Sequence, residues 1–141
     1  MPISALLIHG VPVECINQAA LTYYVPAKTI IAVLETEGGE VGMASPNKNG
    51  TFDYGPMQIN SLWLKTIAAY GYTKEQVQYD PCINVQVGAW ILSREIAAGK
   101  DYWQGVGSYH SHTLWLNQDY QQKVQARLHV LNRYLAQAGV L

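Results

Sequence analysis

Charge is scarce in this chain. Only 13% of its 141 residues are Asp, Glu, Lys or Arg, and nine basic against ten acidic side chains leave a formal net charge of −1. With no basic excess there is no electrostatic pull toward a polyanion, so no nucleic-acid partner is expected. Few charges together with 49% apolar residues also exclude a disordered chain. No apolar run is long enough to cross a bilayer, and stable membrane insertion is not expected. Cysteine is limited to Cys15 and Cys82. The pair matches no zinc motif, which needs more ligands. It fits either one disulfide in an oxidising compartment or two buried thiols in a reducing one. Phenylalanine occurs once, against ten Tyr and four Trp. Those aromatics carry an apolar face and a polar handle, which suits sugar rings as well as cores. The chain also lacks a phosphate-cradling Gly-rich loop and a Gly-x-Ser-x-Gly nucleophile elbow.

What is present reads as one compact domain with one core, mostly helical. Val13 to Tyr24 places Ile16, Ala19, Ala20 and Tyr23 on one helix face. Pro26 suits the first turn of a second helix, with Ile30, Ile31, Val33 and Leu34 as its apolar side and Gly38-Gly39 as its stop. Val41 to Tyr54 has no helical period; "SPNKNG" is turn chemistry, and a small irregular β-hairpin is expected there. Asn60 or Ser61 can cap a helix through Tyr70, and Thr73 with Gln76 resembles a capping box. Asp80-Pro81 opens a helix to Ala98, with Val85, Ala89, Leu92 and Ile96 inward. Asp101 to Tyr109 reads as a short helix. A long final helix is expected from Asn117 or Asp119, with Tyr120, Val124, Leu128, Leu131 and Leu135 inward. The class is α+β with a minor β element. Residues 1–14 read as an N-terminal segment and 15–141 as the domain. The opening "MPISALLIHG" lacks a basic n-region and reads as the start of a mature chain whose export signal has been removed.

Glu37 is the residue out of place. It follows Leu34 by three and Ile30 by seven, so it lies on the inward stripe at the C-terminal end of its helix. A carboxylate there meets the unfavourable end of the helix dipole and a desolvation penalty. Both raise its pKa, which is what a general acid at neutral pH requires. Glu35 falls on another face and reads as solvated; Glu40 reads as a loop charge and Asp80 as a cap. Asp53 is a further plausible acid, yet no convincing second carboxylate emerges. His110-Ser111-His112 has too few companions for a metal site, so no metal is expected.

Four stretches in order resemble one family: "IIAVLETEGG", "NKNGTFDYGPMQINSLWL", "CINVQVGAWIL" and "YHS". Together they are similar to the lytic transglycosylases of the lysozyme-like superfamily. The nearest likeness is to the small specialised ones that accompany bacterial type IV secretion, conjugation and pilus systems. The likeness runs from about Cys15 to about Tyr134. It implies a lysozyme-like, SLT-type fold and a catalytic Glu37. It implies a sugar cleft lined by Tyr54, Met57, Gln58, Ile59, Asn60, Tyr109, His110 and Tyr120, with Met57 packing on a ring. It also implies a Cys15–Cys82 disulfide and export to the periplasm. Gly38 stands where the family commonly has Ser, and His110 where Asn is common. The implied reaction cleaves the bond between N-acetylmuramic acid and N-acetylglucosamine and closes a 1,6-anhydro ring, with one carboxylate as acid and then base. No cofactor is implied. The implied partners are peptidoglycan glycan strands and components of an envelope machine; nothing in the sequence suggests more than a monomer. A hydrolysing muramidase and a catalytically weak peptidoglycan-binding adaptor are the alternatives.

Overall fold

The computed structural model describes residues 6–139. A short hairpin, β1 (Leu7–Ile8) and β2 (Val11–Pro12), leads into α1 (Val13–Tyr23) and α2 (Ala27–Glu37). An antiparallel sheet follows, β3 (Ala44–Pro46), β4 (Phe52–Tyr54) and β5 (Ile59–Asn60), in the order β3-β4-β5. A 3-10 turn (Ser61–Trp63) then precedes α3 (Leu64–Ala68), α4 (Lys74–Tyr79), α5 (Pro81–Ala98), α6 (Tyr102–Ser108) and α7 (Leu114–Gln137). This is the expected mostly helical α+β architecture. The β element is larger than the single hairpin expected, because β5 adds a third strand with Tyr54 paired to Ile59.

α5 is the central column. α1, α4 and α6 pack on it, and α7 closes the far side by packing against α2 and α6. Asn84, Val85, Val87, Gly88, Ala89, Ile91 and Leu92 are all buried. The expected stripe through Val85, Ala89 and Leu92 is therefore only part of a helix enclosed on several sides. A helix surrounded by neighbours has no solvent face to impose a 3.6-residue alternation. Asp80 caps it as expected, accepting from the Cys82 and Ile83 N–H groups at 3.0 and 3.1 Å. The Thr73–Gln76 capping box of α4 is also present on both sides.

Two expectations shift. The last helix begins at Leu114, a turn before Asn117. Asn117 is not its cap: it is buried, and its amide donates to Gln104 O, Ser108 Oγ and Ser111 O, tying α6 to α7. The residues before position 14 also contribute to packing. Val11 is fully buried and β2 lies against α5. Residues 1–5, on which the reading of a removed export signal falls, lie outside the described residues. A Cys15–Cys82 disulfide links α1 to the first turn of α5. No helix among the described residues is long and apolar enough to cross a membrane.

Candidate active site

Glu37 is the last residue of α2, and the two glycines after it do different work. Gly38 takes the left-handed conformation (φ 66°, ψ 20°) and its N–H closes the helix on Leu34 O. Gly39 is buried, and a Cβ there would collide with the backbone oxygens of Gly55 and Pro56 and the Gln58 amide. The first glycine ends the helix. The second lets the Gly55–Gln58 loop lie directly against the end of α2.

That loop is held from below by Asn84 of α5. The Asn84 side chain accepts from the Met57 N–H at 2.9 Å and donates to Tyr54 O and Val77 O, each at 2.9 Å. The Tyr109 hydroxyl donates to Met57 O at 2.7 Å. Gln58 adopts φ 53°, uncommon for a residue with a side chain, and its amide donates back to Gly55 O. Strain at one residue is tolerated because the backbone on both sides is fixed.

A cleft of ≈ 480 Å³ opens beside Glu37. Gln58, Ile59, Asn60, Tyr109 and His110 of the expected set line it together with Glu37. Three expected residues, Met57, Tyr54 and Tyr120, do not. Met57 is fully buried, with its thioether against Gly88, so it cannot pack on a sugar ring as the sequence reading had it. Loop inversion at Gln58 puts Met57 into the core and Gln58 toward the cleft. Tyr54 is also buried, stacked on Phe52 with Lys74 over its ring, so it supports the sheet and does not line the cleft. Tyr120 is buried as well, yet its hydroxyl donates to Glu37 Oε2 at 2.5 Å. It touches the carboxyl and is absent from the cleft lining.

Burial, opposed by the Tyr120 hydrogen bond and reinforced by the Asp53 charge, raises the Glu37 pKa to about 7. Desolvation thus outweighs the one interaction that favours the carboxylate. Burial and then the Glu37 charge hold the Tyr120 and Tyr109 phenols well above their usual value, so both remain proton donors. His110 stacks on Tyr120 with ring centroids 5.0 Å apart. Burial and then Lys123 lower its pKa, opposed by Asp53 and Asp119. Chemically, the site offers a carboxyl poised between its neutral and ionised forms near pH 7, with a fixed orientation at the wall of an open cleft.

Asp53 also lines the cleft, with Oδ1 accepting from Asn60 Nδ2 at 2.9 Å. Sequence reasoning named it only as a plausible acid, because a carboxylate in a turn-rich strand carries no pattern of its own. Trp63 lines the cleft too, as does Glu95, which pairs with His112 at 3.0 Å. Glu95 did not stand out in the sequence, and His112 did so only as part of His110-Ser111-His112. Asn84 was missed outright. Its one signal is a polar residue between Ile83 and Val85 inside an apolar helix.

Residues 14–128 match the family described as "Transglycosylase SLT domain". The chain is 33% identical over 109 residues to "Invasion protein IagB" of Salmonella typhimurium, covering 77% of this chain and 68% of that protein. It is 32% identical over 101 residues to "Protein IpgF" of Shigella flexneri, covering 71% and 66%. To a "Peptidoglycan-binding-like protein" of Escherichia coli O157:H7 it is 25% identical over 125 residues, covering 83% and 75%.

Proposed function

The chain belongs to the transglycosylase SLT domain family, a family of lytic transglycosylases, and from that premise we propose that Glu37 is its catalytic acid and base. One observation carries this reading: a carboxyl with its pKa raised to about 7, oriented by Tyr120, at the wall of a cleft of ≈ 480 Å³. Protonated Glu37 donates to the oxygen linking C1 of N-acetylmuramic acid to N-acetylglucosamine. The bond breaks with its electron pair on that oxygen, leaving an oxocarbenium-like centre at C1. Glu37, now a carboxylate, takes the proton of the C6 hydroxyl as that oxygen closes onto C1. The products are a free N-acetylglucosamine end and a 1,6-anhydro ring, and Glu37 is protonated again. A pKa near the working pH serves both halves of this cycle.

Gln58, Asn60 and Tyr109 supply amides and a phenol along the cleft for glycan contacts, with Ile59 as an apolar floor. His110 keeps the Tyr120 ring in place by stacking. The setting we infer is the periplasm, consistent with the Cys15–Cys82 bond. The role we infer is local opening of peptidoglycan for an envelope-spanning secretion, conjugation or pilus machine, supported by likeness to a relative named for invasion.

A second reading, hydrolysis by a muramidase, is favoured by Asp53, a second carboxylate in the same cleft. Mass spectrometry of purified peptidoglycan digested with wild type and with Glu37→Gln separates the readings. Anhydro-muropeptides from the wild type alone are expected. Reducing-end products would move the assignment to hydrolysis. Turnover by Glu37→Gln would remove Glu37 from its role, and product from neither protein would favour a binding adaptor.

A further inference from the structure

A second cavity, ≈ 350 Å³, shares no lining residue with the cleft and neighbours it through the contact of Trp90 with Trp63. Its walls are Tyr23 of α1, Tyr70 and Tyr72 of the α3–α4 connection, and Gln86 and Trp90 of α5, over a floor of Ile67. No charged side chain lines it. The Tyr hydroxyls, the Gln86 amide and the Trp90 indole N–H are not hydrogen-bonded to other described residues. None of them is buried without a partner, so these groups keep access to solvent. Burial and then Tyr72 push the Tyr23 phenol above its usual value, which keeps it a donor.

Aromatic walls with neutral, uncommitted donors and acceptors are the chemistry that recognises a sugar ring. Apolar C–H faces lie on the rings while hydroxyl and acetamido groups find the polar handles. Aromatic contacts also join the wall of this cavity to the wall of the cleft. Trp63, a cleft residue, meets Trp90 edge to face at 5.8 Å, and Tyr70 meets the same indole at 5.9 Å. Arg94 lies over the Trp90 ring at 4.9 Å and helps fix it.

We propose that this aromatic cavity is a distal saccharide subsite that takes N-acetylhexosamine units of the glycan strand occupying the cleft. The inference rests on the glycan-cleaving reading of the cleft. Its benefit is a longer grip on the polymer: long strands engage both sites and short fragments only one.

The four indole N–H groups give separate reporters in a 15N NMR titration with a soluble N-acetylglucosamine oligomer. Trp90 reports the cavity, Trp63 the cleft, and Trp103 and Trp115 act as controls. Movement of the Trp90 signal is expected in wild type. In Gln86→Leu and Tyr72→Phe, conservative changes that retain the packing, it weakens severalfold while the Trp63 response persists. Those variants should lose turnover on long strands severalfold and none on short fragments. A Trp63 response alone overturns the subsite and leaves the cleft reading intact. A Trp90 response to soluble stem peptide and not to the sugar also overturns it. Loss of Glu37-dependent product with a normal Trp90 response would instead count against the cleft reading and keep the subsite.

Discussion

At the residue scale, Glu37 combines a stability cost with a chemical use. Its pKa in the folded protein, about 7, lies above the ordinary value of 4.5, so the native state holds this proton more tightly than the unfolded chain does. Below the unfolded value both states are protonated and Glu37 carries no penalty. As pH rises through the folded value, the native protein must bear a poorly solvated charge and loses stability. Glu37→Gln removes that loss. Denaturant unfolding should show the variant about 2 kcal/mol more stable than wild type at about pH 8, converging toward about pH 4. That figure is the full pKa shift discounted for the solvent Glu37 still sees. Two neighbours push Glu37 in opposite directions. The Tyr120 hydroxyl favours the carboxylate, so Tyr120→Phe should move the alkaline limb of the pH–rate profile up while lowering kcat about tenfold. The Asp53 charge disfavours it, so Asp53→Asn should move the same limb down. Equal shifts in one direction for both variants would contradict this account of the site.

At the scale of elements, the cleft depends on a loop clamped between two helices. The end of α2 meets the loop through Gly39, and α5 reaches it through Asn84. Asn84 makes three hydrogen bonds at full burial, so truncation leaves several backbone groups without partners. Asn84→Ala should cost about 2–4 kcal/mol in chemical unfolding. Its effect on turnover should exceed the loss of folded fraction, because the loop carries Gln58 and Ile59 into the cleft. Helix boundaries and caps at Thr73 and Asp80 were readable, since each rests on neighbours within three residues. The start of α7 was not. Asn117 has the chemistry of a cap, and its diversion into an α6–α7 hydrogen-bond network depends on packing that local spacing does not encode. The same holds for Met57 and Tyr54. Their motif is legible, but the inversion of the backbone at Gln58 decides which side chain reaches the cleft.

At the scale of the whole molecule, the Cys15–Cys82 bond joins α1 to α5 across 67 residues of chain. Closing a loop of that length removes roughly 4 kcal/mol of unfolded-state freedom in the chain-entropy view. Reduction should therefore lower Tm by about 10 °C in a calorimetric scan; an unchanged Tm would show that the bond adds no net stability. By itself the sequence determined the helical content, most caps, the inward position of Glu37 and the family likeness. All of these follow from residue type and short-range spacing. Tertiary structure alone decided that Asp53 and Trp63 share a cleft with Glu37, that Tyr120 bonds its carboxyl, and that Met57 is core. It also decided that a second aromatic cavity adjoins the first. These are contacts between residues far apart in the chain. Each arises from how α2, α5, α7 and the sheet pack, and desolvation, the force that sets the Glu37 pKa, exists only once they have packed.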